Sequence, residues 1–256
     1  MGEKDRVAET MRRSRTIDPI RPARTGRHDG LAYGLWLPRG ETAPAAGVLV
    51  LHGAGSQKES HHDFARAAIA TGLAVLGFDQ RGHGESEGAL DGRMISDVTM
   101  MAELLSDHLA PAASIALRGS SMGGFLAILA AQPARAGAVV AICPASAGGL
   151  RRGLERDAFD FRADRDHLLE LLDSVALGAA VSALAAPLLL LHAQGDEQVP
   201  VEHSRELATV AHAPGSRLIE LPGGHHRSVQ HDEELQAVSL RFLHRALDPG
   251  GSVAYR

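Results

Sequence analysis

The feature that most constrains this chain is the run Ser114-Ile115-Ala116-Leu117-Arg118-Gly119-Ser120-Ser121-Met122-Gly123-Gly124. A strand-like apolar stretch enters Gly-x-Ser-x-Gly without a linker. From Met122 the residues are apolar on nearly every side (Phe125, Leu126, Ile128, Leu129), as in a helix at the centre of a protein. So sharp a strand-to-helix turn crowds its own flanks, and glycines at 119 and 123 remove the side chains that would collide. Ser121 is then pushed outward at the helix start, where unpaired N–H groups, that of Met122 first, and the positive dipole end favour a developing negative charge. The same turn also suits a plain helix cap or a phosphate cradle, so taken alone the motif leaves those readings open.

The surrounding pattern supplies the context. Gly47–Leu51 is a short, wholly apolar run of the kind buried on both faces of a parallel sheet. It is followed by a helical stretch near Asp63–Thr71, a strand at Leu73–Phe78, a helix through Met94, Val98, Met101 and Leu105, and the strand before Ser121. Ala138–Cys143 and Pro187–His192 read as further strands, with a helix near Ser204–Val210, a strand at Leu218–Leu221 and a last helix through Leu235, Val238 and Phe242. Upstream, Leu31–Leu37 is the clearer half of a strand pair, and residues 1 to 11 read as a loose polar terminus. Strands separated by helices predict an α/β fold: a mostly parallel sheet of about eight strands, covered on both faces, in one domain spanning 1–256. From Ala147 to Ala186 the rhythm lapses into dense mixed charge and then helical spacing at Leu168, Leu172 and Val175, an excursion from the sheet.

Composition excludes several classes. A net charge of -5 is not that of a nucleic-acid binder, despite the Arg-rich stretch from Arg12 to Arg27. The single cysteine, Cys143, rules out an intrachain disulfide and leaves Cys-rich zinc sites without ligands. No signal-like apolar run occurs near the start, and the longest later one, around Ala185–Leu191, falls far short of the ~20 residues that span a bilayer. The expectation is a cytoplasmic protein with neither membrane nor nucleic-acid partner.

A serine hydroxyl needs a base, usually a histidine held in one tautomer by a carboxylate. With a serine in this strand–turn–helix context the partners follow as acid and then base, on loops at the carboxyl ends of later strands. After the strand ending at His192, Ala193-Gln194-Gly195-Asp196-Glu197 offers Asp196 as the acid, with Glu197 the weaker substitute. After Leu221, Pro222-Gly223-Gly224-His225-His226 offers His225 as the preferred base, with His226 as alternative. Asp196 could equally be a helix cap and either histidine an exposed bystander.

With Ser121, Asp196 and His225 in place, and with His52-Gly53-Ala54-Gly55 and Asp79-Gln80-Arg81-Gly82-His83-Gly84-Glu85-Ser86 behind two earlier strands, the chain resembles the α/β-hydrolase superfamily. The likeness is to small bacterial esterases described as serine aminopeptidase-like or dienelactone hydrolase-like, and it spans residues 47 to 232. It implies that Ala54 gives a second oxyanion-hole N–H beside that of Met122, and that 147–186 forms a short helical cap. It also implies structural roles for His52 and the Asp79–Ser86 loop, so His83 is not the base. Ser121 argues against the chemistry of relatives with an aspartate nucleophile.

The expected activity is hydrolysis of small carboxylic esters through an acyl-enzyme, without metal or organic cofactor and therefore insensitive to EDTA. The few aromatics of the cap, Phe159 and Phe161, suit short acyl chains. A peptidase or thioesterase using the same residues is the alternative within enzymes, and a non-catalytic ligand-binding member of the fold the alternative outside them.

Overall fold

The computed structural model describes residues 20–40 and 42–247, so the polar segment 1 to 11 and the start of the Arg-rich stretch lie outside the described residues. Among the described residues eight strands form one sheet: β1 Arg24–His28, β2 Leu31–Trp36, β3 Ala46–Leu51, β4 Ala74–Phe78, β5 Ser114–Ser120, β6 Ala138–Ile142, β7 Leu188–Ala193 and β8 Arg217–Leu221. Their order is β1-β2-β4-β3-β5-β6-β7-β8. β1 and β2, joined by the tight turn Asp29-Gly30, are antiparallel, as are β2 and β4; every later pairing is parallel.

The α-helices among the described residues are α1 His62–Ala70, α2 Met94–Ser106, α3 Met122–Ala130, α4 Ala147–Glu155, α5 Arg165–Ser174, α6 Leu177–Ser182, α7 Val201–Thr209, α8 Ser228–His231 and α9 Glu233–Leu247. Alternation along the strands sends one set of side chains to each face. Leu49, Leu76, Leu117, Val139 and Leu190 pack with α2, α3 and the buried leucines of α4 and α5. Val48, Val75, Ala116, Val140 and Leu189 pack with Phe64 of α1 and Phe242 and Leu243 of α9. The central strands are therefore apolar on both faces, which is why they read as unbroken hydrophobic runs. All of α3 except Leu129 is buried, in keeping with its apolar circumference.

The chain passes from β3 to β4 on one side, then crosses back to β5 on the other side of β3. Strand order thus reverses between β3 and β5, and ligands of open parallel sheets bind beyond the carboxyl ends of the strands at such a reversal. The loops leaving β3 and β5 begin with His52 and Ser121.

Candidate active site

Ser121 occupies the cap of α3 with φ 54° and ψ -119°, a backbone state that L residues rarely adopt. Backbone bonds hold it there: its N–H donates to Ile142 O (2.8 Å), and its own carbonyl accepts from Phe125 and Ala145 (3.0 Å each). The two motif glycines have steric reasons. A Cβ on Gly119 would lie 2.0 Å from Gly123 O, and one on Gly123 would lie 2.1 Å from Leu51 O. The elbow is thus pressed against the end of β3.

The loop after β3 passes beside the serine, and a Cβ on Gly53 would meet Ser121 Cβ at 3.2 Å and Oγ at 3.9 Å. Ala54 follows at once, and Met122 opens α3, where its N–H has no acceptor within the helix. Two histidines hold this loop. His52 Nε2 accepts from Gln80 N–H (3.0 Å), so the ring carries its proton on Nδ1 and donates to Gly53 O (2.8 Å). Burial and the neighbouring His83 push its pKa down to about 4, so the ring is neutral at pH 7. His83 Nε2 accepts from Gly55 N–H (3.1 Å) while Nδ1 donates to Arg81 O (3.0 Å). Both rings are buried braces of the loop.

Asp79, fully buried, accepts from Lys58 N–H and Nζ and from Glu85 N–H, and so closes the Asp79–Ser86 loop on itself. Gly82 in that loop permits a close approach: Arg162 N–H donates to Gly82 O, and a Cβ there would strike Arg162 O at 2.0 Å. Leu90 N–H donates to Arg162 O and Asp164 N–H to Leu90 O, so the chain between α4 and α5 is stitched to this loop. Phe161 stacks on His83 at 4.3 Å and Phe159 stacks on Phe161 at 5.4 Å.

Asp196 stands in the loop after β7 with its side chain closed to solvent. Oδ1 accepts from the N–H groups of Gln198 (2.8 Å) and Val199 (2.9 Å), and Oδ2 faces His226 Nδ1 at 2.7 Å and His192 Nε2 at 3.3 Å. Burial pushes its pKa up, but the hydrogen bonds from His192, His226 and the two amides outweigh this and hold it far below the usual carboxylate range. His192, buried at the end of β7, is a partner that no motif in the chain announces; its Nδ1 meets Ser204 Oγ at 2.7 Å.

The preference for His225 is corrected by this geometry. Gly223 and Gly224 both have positive φ (76° and 74°) and turn the loop so that His225 is exposed; its N–H donates to Ser228 Oγ (3.0 Å) and its carbonyl accepts from the same hydroxyl (2.8 Å). That local turn leaves His226 as the residue directed inward, where it is buried and meets Asp196. Glu197 does not replace Asp196; its carboxylate accepts the His226 N–H at 3.4 Å. Beneath the elbow, Ser120 Oγ donates to Gln230 Oε1 (2.5 Å) and the fully buried Arg118, lying over the Phe64 ring, donates to Gln230 O (3.3 Å). These bonds tie β5 to α8, just beyond His226.

Comparison with known proteins finds relatives for the chain and for its fold. The chain is 33% identical to human monoglyceride lipase over 117 residues, which take in 43% of this chain and 37% of that enzyme. It is 27% identical to a monoacylglycerol lipase of Mycolicibacterium smegmatis over 80% of this chain and 88% of the relative. Its fold is similar to that of Est1E from Butyrivibrio proteoclasticus, solved with ferulic acid, at a TM-score of 0.69 and 20% identity, over 88% of this chain and 99% of the other. Among the described residues no helix is long and apolar enough to cross a membrane. The family described as serine aminopeptidase, S33, matches residues 42–175, more than half of the chain, which therefore belongs to that family of α/β-hydrolases.

Proposed function

We propose that this chain is a serine hydrolase that cleaves carboxylic esters by two-step acyl transfer, with Ser121 as nucleophile, His226 as base and Asp196 as the acid. The observation that carries the reading is the 2.7 Å contact between His226 Nδ1 and a buried, ionised Asp196, on the loop that leads into α8, which Ser120 and Arg118 tie to the strand ending at the strained Ser121 elbow. Nδ1–H donating to the carboxylate leaves the lone pair on Nε2, the atom a base needs. His226 takes the Ser121 proton as Oγ attacks the ester carbonyl, and Asp196 stabilises the imidazolium. The Ala54 and Met122 N–H groups hold the oxyanion; each such donor is worth on the order of 10²-fold or more in turnover. His226 then protonates the leaving alcohol, and water, activated by the same ring, releases the acyl group.

The substrates we assign are small esters with short acyl chains. Apart from Phe159 and Phe161, the segment joining α4 to α5 is polar and exposed at Arg156, Asp157, Asp160 and Arg162, a poor lining for a long acyl chain. The similarity to monoglyceride lipases favours a second reading, monoacylglycerols with longer chains. A p-nitrophenyl ester series decides: a maximum at acetate or butyrate supports the first, and a maximum beyond roughly ten carbons the second. A fluorophosphonate probe followed by peptide mapping tests the nucleophile, with labelling expected at Ser121 and lost in Ser121→Ala. Full esterase activity in Ser121→Ala would overturn the assignment.

A further inference from the structure

We propose that Cys143, Asp196 and His226 form a binding site for a thiophilic divalent cation, Zn²⁺ or Cd²⁺, and that its occupation switches the hydrolase off. The inhibitory half of this rests on the function proposed above; the binding half does not.

One ligand atom from each of the three residues falls within 4.8 Å of the other two. A tetrahedral zinc with sulfur at ~2.3 Å and nitrogen or oxygen at ~2.0–2.2 Å sets its ligands roughly 3.3–3.6 Å apart, within a small adjustment of that cluster. The donors arrive from three places, the end of β6 and the loops after β7 and β8, and two are held in advance. Cys143 has φ 42° and its N–H donates to Leu191 O (2.8 Å), while Asp196 is fixed by the amides of residues 198 and 199. A thiolate and a carboxylate neutralise a divalent charge, which an enclosed site requires. Burial and the adjacent Asp196 push the Cys143 thiol well above its ordinary pKa, so the proton stays on sulfur until a cation supplies the compensating charge. Pro222, Gly223, Gly224 and His225 are exposed, and displacement of this loop gives entry.

On binding, the thiol proton passes to solvent and the metal takes the Nδ1 position that Asp196 now faces. The proton that Nδ1 gives up to make room for the metal is replaced by one on Nε2, so the ring stays neutral with its single proton moved from Nδ1 to Nε2. That nitrogen then has no lone pair for the Ser121 hydroxyl, so the base is lost although every side chain is still present. The cation is an inhibitor and no cofactor, and chelators are expected to leave the uninhibited rate unchanged.

Cys143 is the only cysteine of the chain, so a near-ultraviolet thiolate-to-Cd²⁺ charge-transfer band reports this site alone, whatever the surface histidines bind. Titration of the whole protein with CdCl₂ is expected to give a one-to-one band that ZnCl₂ displaces and MgCl₂ does not. His226→Asn is expected to weaken Cd²⁺ binding at least about ten-fold, as loss of a ligand does. Zn²⁺ is expected to inhibit p-nitrophenyl butyrate hydrolysis reversibly, EDTA restoring the rate, with the half-inhibiting concentration raised about ten-fold or more in Cys143→Ala or, should that variant not fold, Cys143→Ser. Absence of the band, a band unaltered in His226→Asn, or Zn²⁺ inhibition unaltered in the cysteine variants would overturn the proposal. A band in a protein that hydrolyses no ester would support the site and strike only at the functional reading.

Discussion

His226 Nδ1 lies 2.7 Å from Asp196 Oδ2, whereas His225, one residue earlier on the same loop, is exposed and is held by its backbone to Ser228. Only the second of the two histidines is oriented by the acid. His226→Ala is therefore expected to lower kcat for p-nitrophenyl acetate by about 10⁴-fold or more, as removal of a triad base does. His225→Ala is expected to stay within a few-fold of the parent. Similar losses in both variants would refute the assignment of the base.

The pair also marks the limit of what the sequence discloses. The central strands of the sheet are legible because each is an apolar run between Gly, Pro or polar breaks, unlike the polar, exposed β1, and Ser121 because the close approaches at Gly119 and Gly123 demand glycine. Which of two adjacent histidines faces inward depends on positive φ at Gly223 and Gly224 and on one Ser228 hydroxyl, and no periodicity records that. Buried Arg118 is similarly opaque, since its neighbours Phe64 and Gln230 come from distant parts of the chain. Helix α7 begins at Val201 rather than near Ser204 because Pro200 presets the entry turn.

Ser121, the proposed nucleophile, carries backbone strain. A φ of 54° with ψ of -119° suits glycine and costs other residues on the order of 1–3 kcal/mol. Glycine loses roughly 0.5–1 kcal/mol more than alanine in backbone entropy on folding. Both Ser121→Gly and Ser121→Ala are expected to be inactive, with the glycine variant the more stable by about 1 kcal/mol in urea denaturation. Equal midpoints would mean that the elbow is unstrained.

Acid should destabilise the fold through its buried neutral histidines. His52 has a pKa of about 4 in the folded chain, against ~6.5 when unfolded, and burial shifts His61 and His83 in the same direction. Between those two pH values the unfolded chain binds more protons than the folded one, so stability rises with pH. The contribution is complete above about pH 6.5 and is lost as the pH falls toward 4. Thermal melts followed by circular dichroism should give a flat Tm from neutral pH upward and a decline through that window, shallower in His52→Gln. A Tm constant down to pH 4 would count against the buried neutral ring.

Gly82 joins the loop after β4 to the segment between α4 and α5. Its carbonyl accepts from Arg162, its φ of 78° is left-handed, and a Cβ would come within 2.0 Å of Arg162 O. Gly82→Ala must therefore push residues 160–164 away from Leu90, loosening the Phe161 stack on His83 and, through His83 Nε2, the hold on Gly55 N–H. Two consequences separate this from simple destabilisation. The rate on p-nitrophenyl acetate is expected to fall by roughly ten-fold, because the neighbouring Ala54 donor is less well fixed. The ratio of decanoate to acetate turnover is expected to rise, because the displaced segment exposes room for a longer acyl chain. A variant that lowers both rates equally, with the ratio unchanged, would show that this segment braces the fold without bounding the acyl site.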